Sequence, residues 1–217
     1  MRLEQLERAC AEYSQVGKSF DDATRDFRQD GGPVVGLPLM TWLNRWGCRQ
    51  FARAQHETAL GELRSWNEVH QRLLPRLDAS LMGLSDEALA ALAGAYDDLS
   101  SRLASHKRRA DSVVAVHFGP TGAAKVLYAL RPNCCPPWDI PIRKRFGWDG
   151  GGTSYLRFLH NVRAEIADLI MDAECAGFGS AEIPQKVGRP NSSLPKLVDE
   201  YYWITITRRE GSDSSRT

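Results

Sequence analysis

The chain has 217 residues, the length of one large domain, and 42% of them are hydrophobic, enough to build a core without disulfides or a structural metal. Charged residues make up 25%, and every apolar run is far shorter than the roughly 18 residues that span a bilayer. The first residues carry charges at helical spacing, where a secretory signal has an uninterrupted apolar stretch. The composition therefore excludes a membrane channel and a small disulfide scaffold, and it predicts a cytoplasmic protein with no membrane partner.

The cysteines give a second indication of compartment. There are five of them, an odd number, and none belongs to a C-x-x-C pair or lies at ligand spacing from a histidine. This pattern is typical of reduced thiols in a cytoplasmic protein. We therefore expect neither a metal site nor a cofactor.

Positive charge is concentrated in one segment, although the net charge of the chain is only +1. Residues 101–163 contain 11 Lys and Arg against three acids, whereas residues 1–100 contain 11 against 15 and residues 164–217 contain 6 against 9. A solvated basic face often has such a composition. An excess of this size among glycines and aromatic residues also resembles a surface that binds phosphates. Charge alone leaves both interpretations open.

The first half of the chain is predicted to be helical. Apolar residues recur every three or four positions over residues 3–16, and again over residues 39–46 after a loop rich in Gly and Pro. A further helical stretch over residues 60–74 is expected to end near Pro75. Ser85 is the predicted N-cap of the next helix, because two acids follow it and the apolar residues of 89–99 lie on one face.

The second half predicts two short helices, a long one and an ambiguous end. Residues 120–130 form the first short helix, and Asp139 is expected to cap the second, which Gly147 closes. A long helix follows from Tyr155 to about Cys175.

The C-terminal segment NSSLPKLVDEYYWITITRR suits a helix in its first half, whereas its run from Trp203 to Thr207 is β-branched and alternating. Residues 211–217 predict a disordered tail. The fold expected is therefore all-α, a single helical unit over residues 1–210, with a short β element near the C-terminus.

The residues that could carry chemistry are concentrated between positions 112 and 147. Gly119 and Gly122 permit a tight turn directly before a helix, whose first N–H groups can hold a phosphate. Lys125 lies one turn into that helix, and Trp138 and Asp139 follow in a loop rich in proline. A glycine turn alone is weak evidence. Its combination with a lysine and an aspartate in one compact helix-loop-helix indicates a phosphate-binding site beside a carboxylate.

The motif G-P-T-G-A-A-K followed by P-P-W-D resembles the helix-hairpin-helix DNA glycosylases. This resemblance implies that Gly119 and Gly122 form a hairpin that binds a DNA phosphate, and that Asp139 is the catalytic carboxylate. It also implies that Lys125 is the amine found in family members that cleave the strand. The chain departs from the family pattern in having G-x-x-G for G-x-G, a shorter interval between the lysine and the aspartate, and no four-cysteine motif.

A wider likeness covers most of the chain. The phrases WLNRWGCR, GPTGAAK, LRPN, PPWD and LPKLVDEYYW resemble those of a family of bacterial proteins, and this second resemblance implies no activity by itself.

The residue types fit base removal. Breaking an N-glycosidic bond builds positive charge on the deoxyribose, so a carboxylate such as Asp139 can stabilise the transition state or position a water. Asp139 is also a good helix N-cap, and one residue can serve both purposes. The target base must leave the stack for a pocket lined by aromatic rings, for which the candidates are Trp138, Trp42, Trp46 and Tyr155. The predicted DNA contacts are Gly119, Thr121, Gly122, Arg143, Lys144 and Arg145.

The sequence thus predicts a monomeric DNA glycosylase that acts on double-stranded DNA, removes a modified base and leaves an abasic site. The base can be damaged, or it can be a bulky modified cytosine such as glucosylated hydroxymethylcytosine in phage DNA. Hydrolysis without a lysine nucleophile is the preferred route. The alternatives are a DNA-binding protein without catalysis, in which Asp139 is only a cap, and an enzyme acting on a small nucleotide-like phosphate compound.

Overall fold

The computed structural model describes residues 1–16, 28–29, 32–33 and 35–209. The fold is mostly helical with a small β component, as the sequence predicts. The predicted C-terminal tail, residues 211–217, lies outside the described residues. The helices are α1 (Leu3–Val16), α2 (Leu37–Arg45), α3 (His56–His70), α4 (Asp86–Ser101), α5 (Gly119–Leu130), α6 (Ile140–Arg145), α7 (Gly152–Cys175), α8 (Ile183–Lys186) and α9 (Leu194–Tyr202). The strands are β1 (Arg28–Gln29), β2 (Gly32–Pro33), β3 (Leu103–Arg109) and β4 (Ser112–His117).

The helices begin where the sequence places their caps. The Ser85 hydroxyl accepts the backbone N–H of Ala88 at 3.2 Å and so starts α4. Asp139 likewise starts α6 by accepting the N–H of Ile142. Both predicted caps are confirmed. Helix α3 ends at His70, five residues before Pro75.

The core is built around α5, which is buried along most of its length. Helix α4 packs against α5 and α7, so the three helices form the centre of the molecule. The loop between α5 and α6 is also buried, and it includes the adjacent thiols of Cys134 and Cys135. Each large apolar side chain buried here contributes about 1.5–3 kcal/mol to folding. The dense packing therefore holds the start of α5 and the start of α6 in a defined relation.

The C-terminal segment departs from the prediction. Residues Trp203–Thr207 form a π-helix that continues α9, so the β element expected there was placed wrongly. Helical continuation lets Ile204 pack against Ala9 and Tyr13 of α1. It also lets the Thr205 hydroxyl donate to the Tyr201 carbonyl at 2.7 Å. These tertiary contacts outweigh the β preference of the branched side chains.

The larger β element lies in the middle of the chain, where none was predicted. Strands β3 and β4 form an antiparallel hairpin, and β4 leads into α5 through Phe118. A strand therefore precedes the glycine motif. Gly119 and Gly122 lie in the first turn of a helix, and the hairpin between two helices expected from the resemblance is not formed by these residues. Within the described ranges, no helix has the length and apolar character needed to cross a bilayer.

Candidate active site

The two motif glycines have different structural roles. Gly119 has a φ of +64°, a conformation that favours glycine. Gly122 is buried, and a Cβ there would lie 2.3 Å from Nε2 of Gln50. The Gln50 amide in turn donates to the Phe118 carbonyl at 2.8 Å. Gly122 therefore makes room for Gln50 and is not a surface for a phosphate, which corrects its predicted role.

The start of α5 keeps its capacity to bind an anion. The Phe118 N–H donates to the Arg102 carbonyl, and Pro120 has no N–H to offer. The N–H groups of Gly119 and Thr121 are the ones in this turn that have no partner within the helix. Thr121 lies in this turn and is half-buried, and its hydroxyl accepts a hydrogen bond from Arg143 at 3.1 Å. Thr121 is thus held in place by a neighbouring helix.

Arg143 joins α6 to α5. It is 8% exposed, and its guanidinium lies 5.4 Å from the centre of the Trp138 ring. Burial lowers the pKa of this guanidinium, and the carboxylate of Asp139 acts in the opposite direction. Because Arg143 is engaged inside the protein, its predicted contact with the DNA backbone is wrong.

Lys144 and Arg145, by contrast, are exposed at the end of the same helix. Arg145 borders a groove of about 560 Å³ between α1 and the π-helix, to which Arg8, Glu12 and Arg209 also contribute. These two side chains remain candidates for contact with phosphates.

Asp139 is half-buried and held by hydrogen bonds from two directions. Its carboxylate accepts the Ile142 N–H at 3.1 Å, and the Thr207 hydroxyl donates to the second carboxylate oxygen at 2.9 Å. The next residue, Ile140, is 55% exposed, so this end of α6 is at the surface. The carboxylate is therefore both oriented and close to solvent.

Lys125 lies in the same electrostatic environment as Asp139. Its ammonium donates to the Trp46 carbonyl at 2.7 Å and lies 4.5 Å from the centre of the Trp46 ring. Burial lowers the pKa of Lys125, whereas attraction from Asp199 and Asp139 acts in the opposite direction. The lysine and the aspartate that the sequence singled out therefore interact electrostatically.

Helix α9 adds three buried charges, on Lys196, Asp199 and Glu200. The Lys196 ammonium is 2.7 Å from a carboxylate oxygen of Asp199 and 3.5 Å from one of Glu200. Although burial alone would lower it, the pKa of Lys196 is held well above its usual value by these two carboxylates. We call Lys125, Asp139, Lys196, Asp199 and Glu200 the charged cluster.

Asp199 is the member of the charged cluster that can hold a proton near neutral pH. Burial raises its pKa to about 6, with repulsion from Asp139 adding to the effect and attraction by Lys196 opposing it. Glu200 is fully buried and lies 2.6 Å from the Arg189 guanidinium. Since burying charge costs free energy, ionisable groups with such perturbed pKa values are concentrated at functional sites.

One predicted pocket residue borders the charged cluster. The half-buried Trp46 ring is contacted by Lys125 and also by Lys196, whose ammonium is 5.7 Å from the ring centre. The other three candidates, Trp42, Trp138 and Tyr155, are at most 3% exposed. Trp138 packs against Phe158 with ring centres 4.9 Å apart. No face of these three rings is open to a base, so their predicted pocket roles are wrong.

The sequence motifs did not single out Lys196, Asp199 and Glu200. Their spacing of three and four residues is typical of an exposed ion pair on a helix. The available signal was that LPKLVDEYYW places these charges directly beside apolar residues, and Leu197 and Val198 are in fact fully buried.

The described part of the chain holds no group of three or more His, Cys, Asp and Glu side chains arranged to bind a metal ion. No protein-family model, curated protein or solved structure matches the chain. Together, the fold and the site define a mostly helical protein whose buried charged cluster reaches the surface at Asp139.

Proposed function

We propose that this protein is a DNA glycosylase, which hydrolyses the N-glycosidic bond of a modified base flipped out of double-stranded DNA. The observation that carries the proposal is the setting of Asp139. Its carboxylate is fixed at the start of α6 by the Ile142 N–H and the Thr207 hydroxyl, and it is the member of the charged cluster that lies close to solvent. An oriented carboxylate of this kind suits a reaction that develops positive charge.

The reaction needs little more than that carboxylate and a water molecule. As the glycosidic bond breaks, its electron pair leaves with the base, and the sugar becomes positively charged. Asp139 stabilises this charge and accepts a proton from the attacking water, whose oxygen bonds to the sugar carbon. The departing base takes up a proton from solvent, Asp139 returns its proton to solvent, and an abasic site remains.

Lys125 supports this reaction through its positive charge, without bonding to the substrate. Its ammonium is engaged by the Trp46 carbonyl, and burial by itself lowers its pKa. We assign it the task of balancing the negative charge of Asp139 and Asp199. The glycosylase is therefore monofunctional, and it forms no covalent bond with the sugar.

The DNA backbone is bound by the groups that remain open at the surface. These are the first N–H groups of α5, which suit a phosphate, and the side chains of Lys144 and Arg145. The base removed is a damaged base or a bulky modified cytosine, such as glucosylated hydroxymethylcytosine in phage DNA, since the chemistry at the sugar is the same for both.

The test is Asp139→Asn, assayed by mass spectrometry of the bases released from DNAs with varied modifications, including phage DNA. We expect base release to fall about 100-fold or more, because the amide cannot carry the negative charge. Melting temperature and DNA affinity should stay close to those of the wild type, because the amide still caps α6.

The matched control is Asp149→Asn. Asp149 also accepts hydrogen bonds at a helix start, from the Gly151 N–H at 2.9 Å and the Ser154 hydroxyl at 2.6 Å, but it lies in the loop before α7 and outside the charged cluster. This variant should keep its activity. Undiminished release by Asp139→Asn would overturn the catalytic role.

The N-cap hydrogen bond of Asp139 also favours a second candidate, a DNA-binding protein without catalysis. In that case wild type binds DNA but releases no base from any substrate. Release from mononucleotides alone would instead indicate an enzyme for small phosphate compounds.

A further inference from the structure

The β3–β4 hairpin projects from the body of the molecule. All ten residues from His106 to Ala115 are exposed, on both faces of the ribbon. The pairing is regular along this part, from His106 opposite Ala115 to Arg109 opposite Ser112. With four residues in each strand, the projection is about 13 Å long. We call residues 106–115 the arm.

The base of the arm is fastened to the core. The Gln55 side chain donates to the His106 carbonyl at 2.9 Å and accepts the His106 N–H at 2.6 Å. One residue earlier, the Ser105 hydroxyl donates to the Gln50 carbonyl at 2.7 Å. A two-stranded hairpin is only marginally stable by itself, so these bonds are needed to direct the arm.

The arm carries positive charge on one strand and apolar side chains on the other. Lys107 and Arg108 lie opposite Val114 and Val113, which are 39% and 66% exposed. Arg109 adds a further positive charge next to the turn. None of these side chains is needed by the core. Cations for phosphates combined with small apolar groups suit the wall of a DNA groove.

The arm and the proposed phosphate site share one end of α5. Strand β4 ends at His117, and α5 begins at Gly119, so a single residue separates them. Any duplex held at the first N–H groups of α5 therefore lies next to the base of the arm.

From this placement we infer that the arm binds the duplex beside the target base, as a β-ribbon inserted in the major groove. The groove is about 12 Å wide and admits a two-stranded ribbon. An arm of about 13 Å covers roughly four base pairs, at about 3.4 Å per base pair. The inference rests on the proposed function for its choice of DNA as the partner.

The test compares two double variants that change the net charge equally. Arg108→Glu with Arg109→Glu alters the arm, and Arg72→Glu with Arg76→Glu is the control. The control residues are exposed and flank Pro75, whose carbonyl accepts a hydrogen bond from Arg131 at the far end of α5. That end is about 18 Å from Gly119, at 1.5 Å per residue.

Binding is measured by fluorescence anisotropy with an undamaged 25-base-pair duplex, with single-stranded DNA of the same length and with duplex RNA. We expect the arm variant to bind the duplex DNA about tenfold or more weakly than the control variant, and to bind the single strand equally. A thermal melt checks the fold, and Arg108→Gln with Arg109→Gln replaces the arm variant if that variant unfolds.

Equal affinity of the arm and control variants for duplex DNA would overturn the inference, as would stronger binding to duplex RNA or no duplex binding by the wild type. The assay involves no base release. If the arm variant loses affinity while wild type never releases a base, the arm inference stands and the glycosylase proposal fails.

Discussion

The Asp139 carboxylate both caps α6 and is held in a fixed orientation. The N-cap hydrogen bond to the Ile142 N–H fixes its orientation, and the Thr207 hydroxyl holds the second oxygen. A group that must face a developing positive charge benefits from being held in place before the reaction begins. The same bonds that stabilise α6 therefore prepare the carboxylate for catalysis in the proposed reaction.

Lys125 distinguishes two mechanisms of base removal, attack by an amine and attack by water. An amine that attacks the sugar leaves an imine, which borohydride traps as a covalent complex, whereas attack by water leaves only an abasic site. We expect no trapped complex with wild type, because the ammonium is bound to the Trp46 carbonyl. Lys125→Met, which keeps an apolar stem against Trp46, should slow base release about tenfold and leave the product unchanged.

The product is identified by strand scission in hot alkali after the reaction. A covalent complex that forms with wild type and disappears in Lys125→Met would show that the protein is a bifunctional glycosylase and lyase. Lys186→Met, at an exposed position of α8 outside the proposed DNA interface, is the control for loss of one positive charge.

At the scale of the element, the first turn of α5 depends on close packing between Gly122 and Gln50. A Cβ at Gly122 would displace the Gln50 amide from the Phe118 carbonyl. Gly94, exposed in α4, is the matched control, because a Cβ added there would meet no atom within 4 Å. Gly94→Ala should stabilise the protein by about 0.5–1 kcal/mol, through helix propensity.

Gly122→Ala should leave the protein about 1–2 kcal/mol less stable than Gly94→Ala, because a buried carbonyl loses its partner. The measurement is urea unfolding of the single variants and of the double variant with Gln50→Ala. In the Gln50→Ala background the cost of Gly122→Ala should vanish. Additive effects of the two changes would show that Gln50 is not the reason for glycine at this position.

The elements that the sequence predicted correctly have a continuous apolar stripe, as in α1, and some also have a recognisable cap, as in α4. The hairpin was missed because β3, LASHKRR, has no apolar alternation, and its strand is defined by pairing with the valines of β4. The π-helix at Trp203–Thr207 was mistaken for a strand because burial of Ile204 against α1 decides its conformation. The hairpin is therefore decided by its neighbouring strand, and the π-helix by contacts with α1, which is distant in sequence.

At the scale of the whole molecule, the charged cluster is assembled from α5, α9 and the start of α6. The sequence identified Lys125 and Asp139 through a local motif, but nothing local connects them to Asp199, which lies 60 residues beyond Asp139. For Trp138, by contrast, the local sequence predicted a role that the packing does not support. Its position beside Asp139 suggested an open pocket, whereas packing of the helices turns its ring into the core.

The number of phosphates that the protein surface contacts determines how strongly salt weakens binding to DNA. Each phosphate contact releases counterions, so the logarithm of affinity falls linearly with the logarithm of salt concentration, by about 0.9 for every phosphate neutralised. Lys144→Gln with Arg145→Gln should therefore reduce this slope by about 2 and weaken binding alike for all sequences. Arg143 is left unchanged because it is buried against Trp138. Arg72→Gln with Arg76→Gln should leave the slope at its wild-type value.

An unchanged slope in the variant of Lys144 and Arg145 would show that α6 does not belong to the DNA interface. Binding of DNA by wild type that does not depend on salt would instead favour an enzyme for small phosphate compounds.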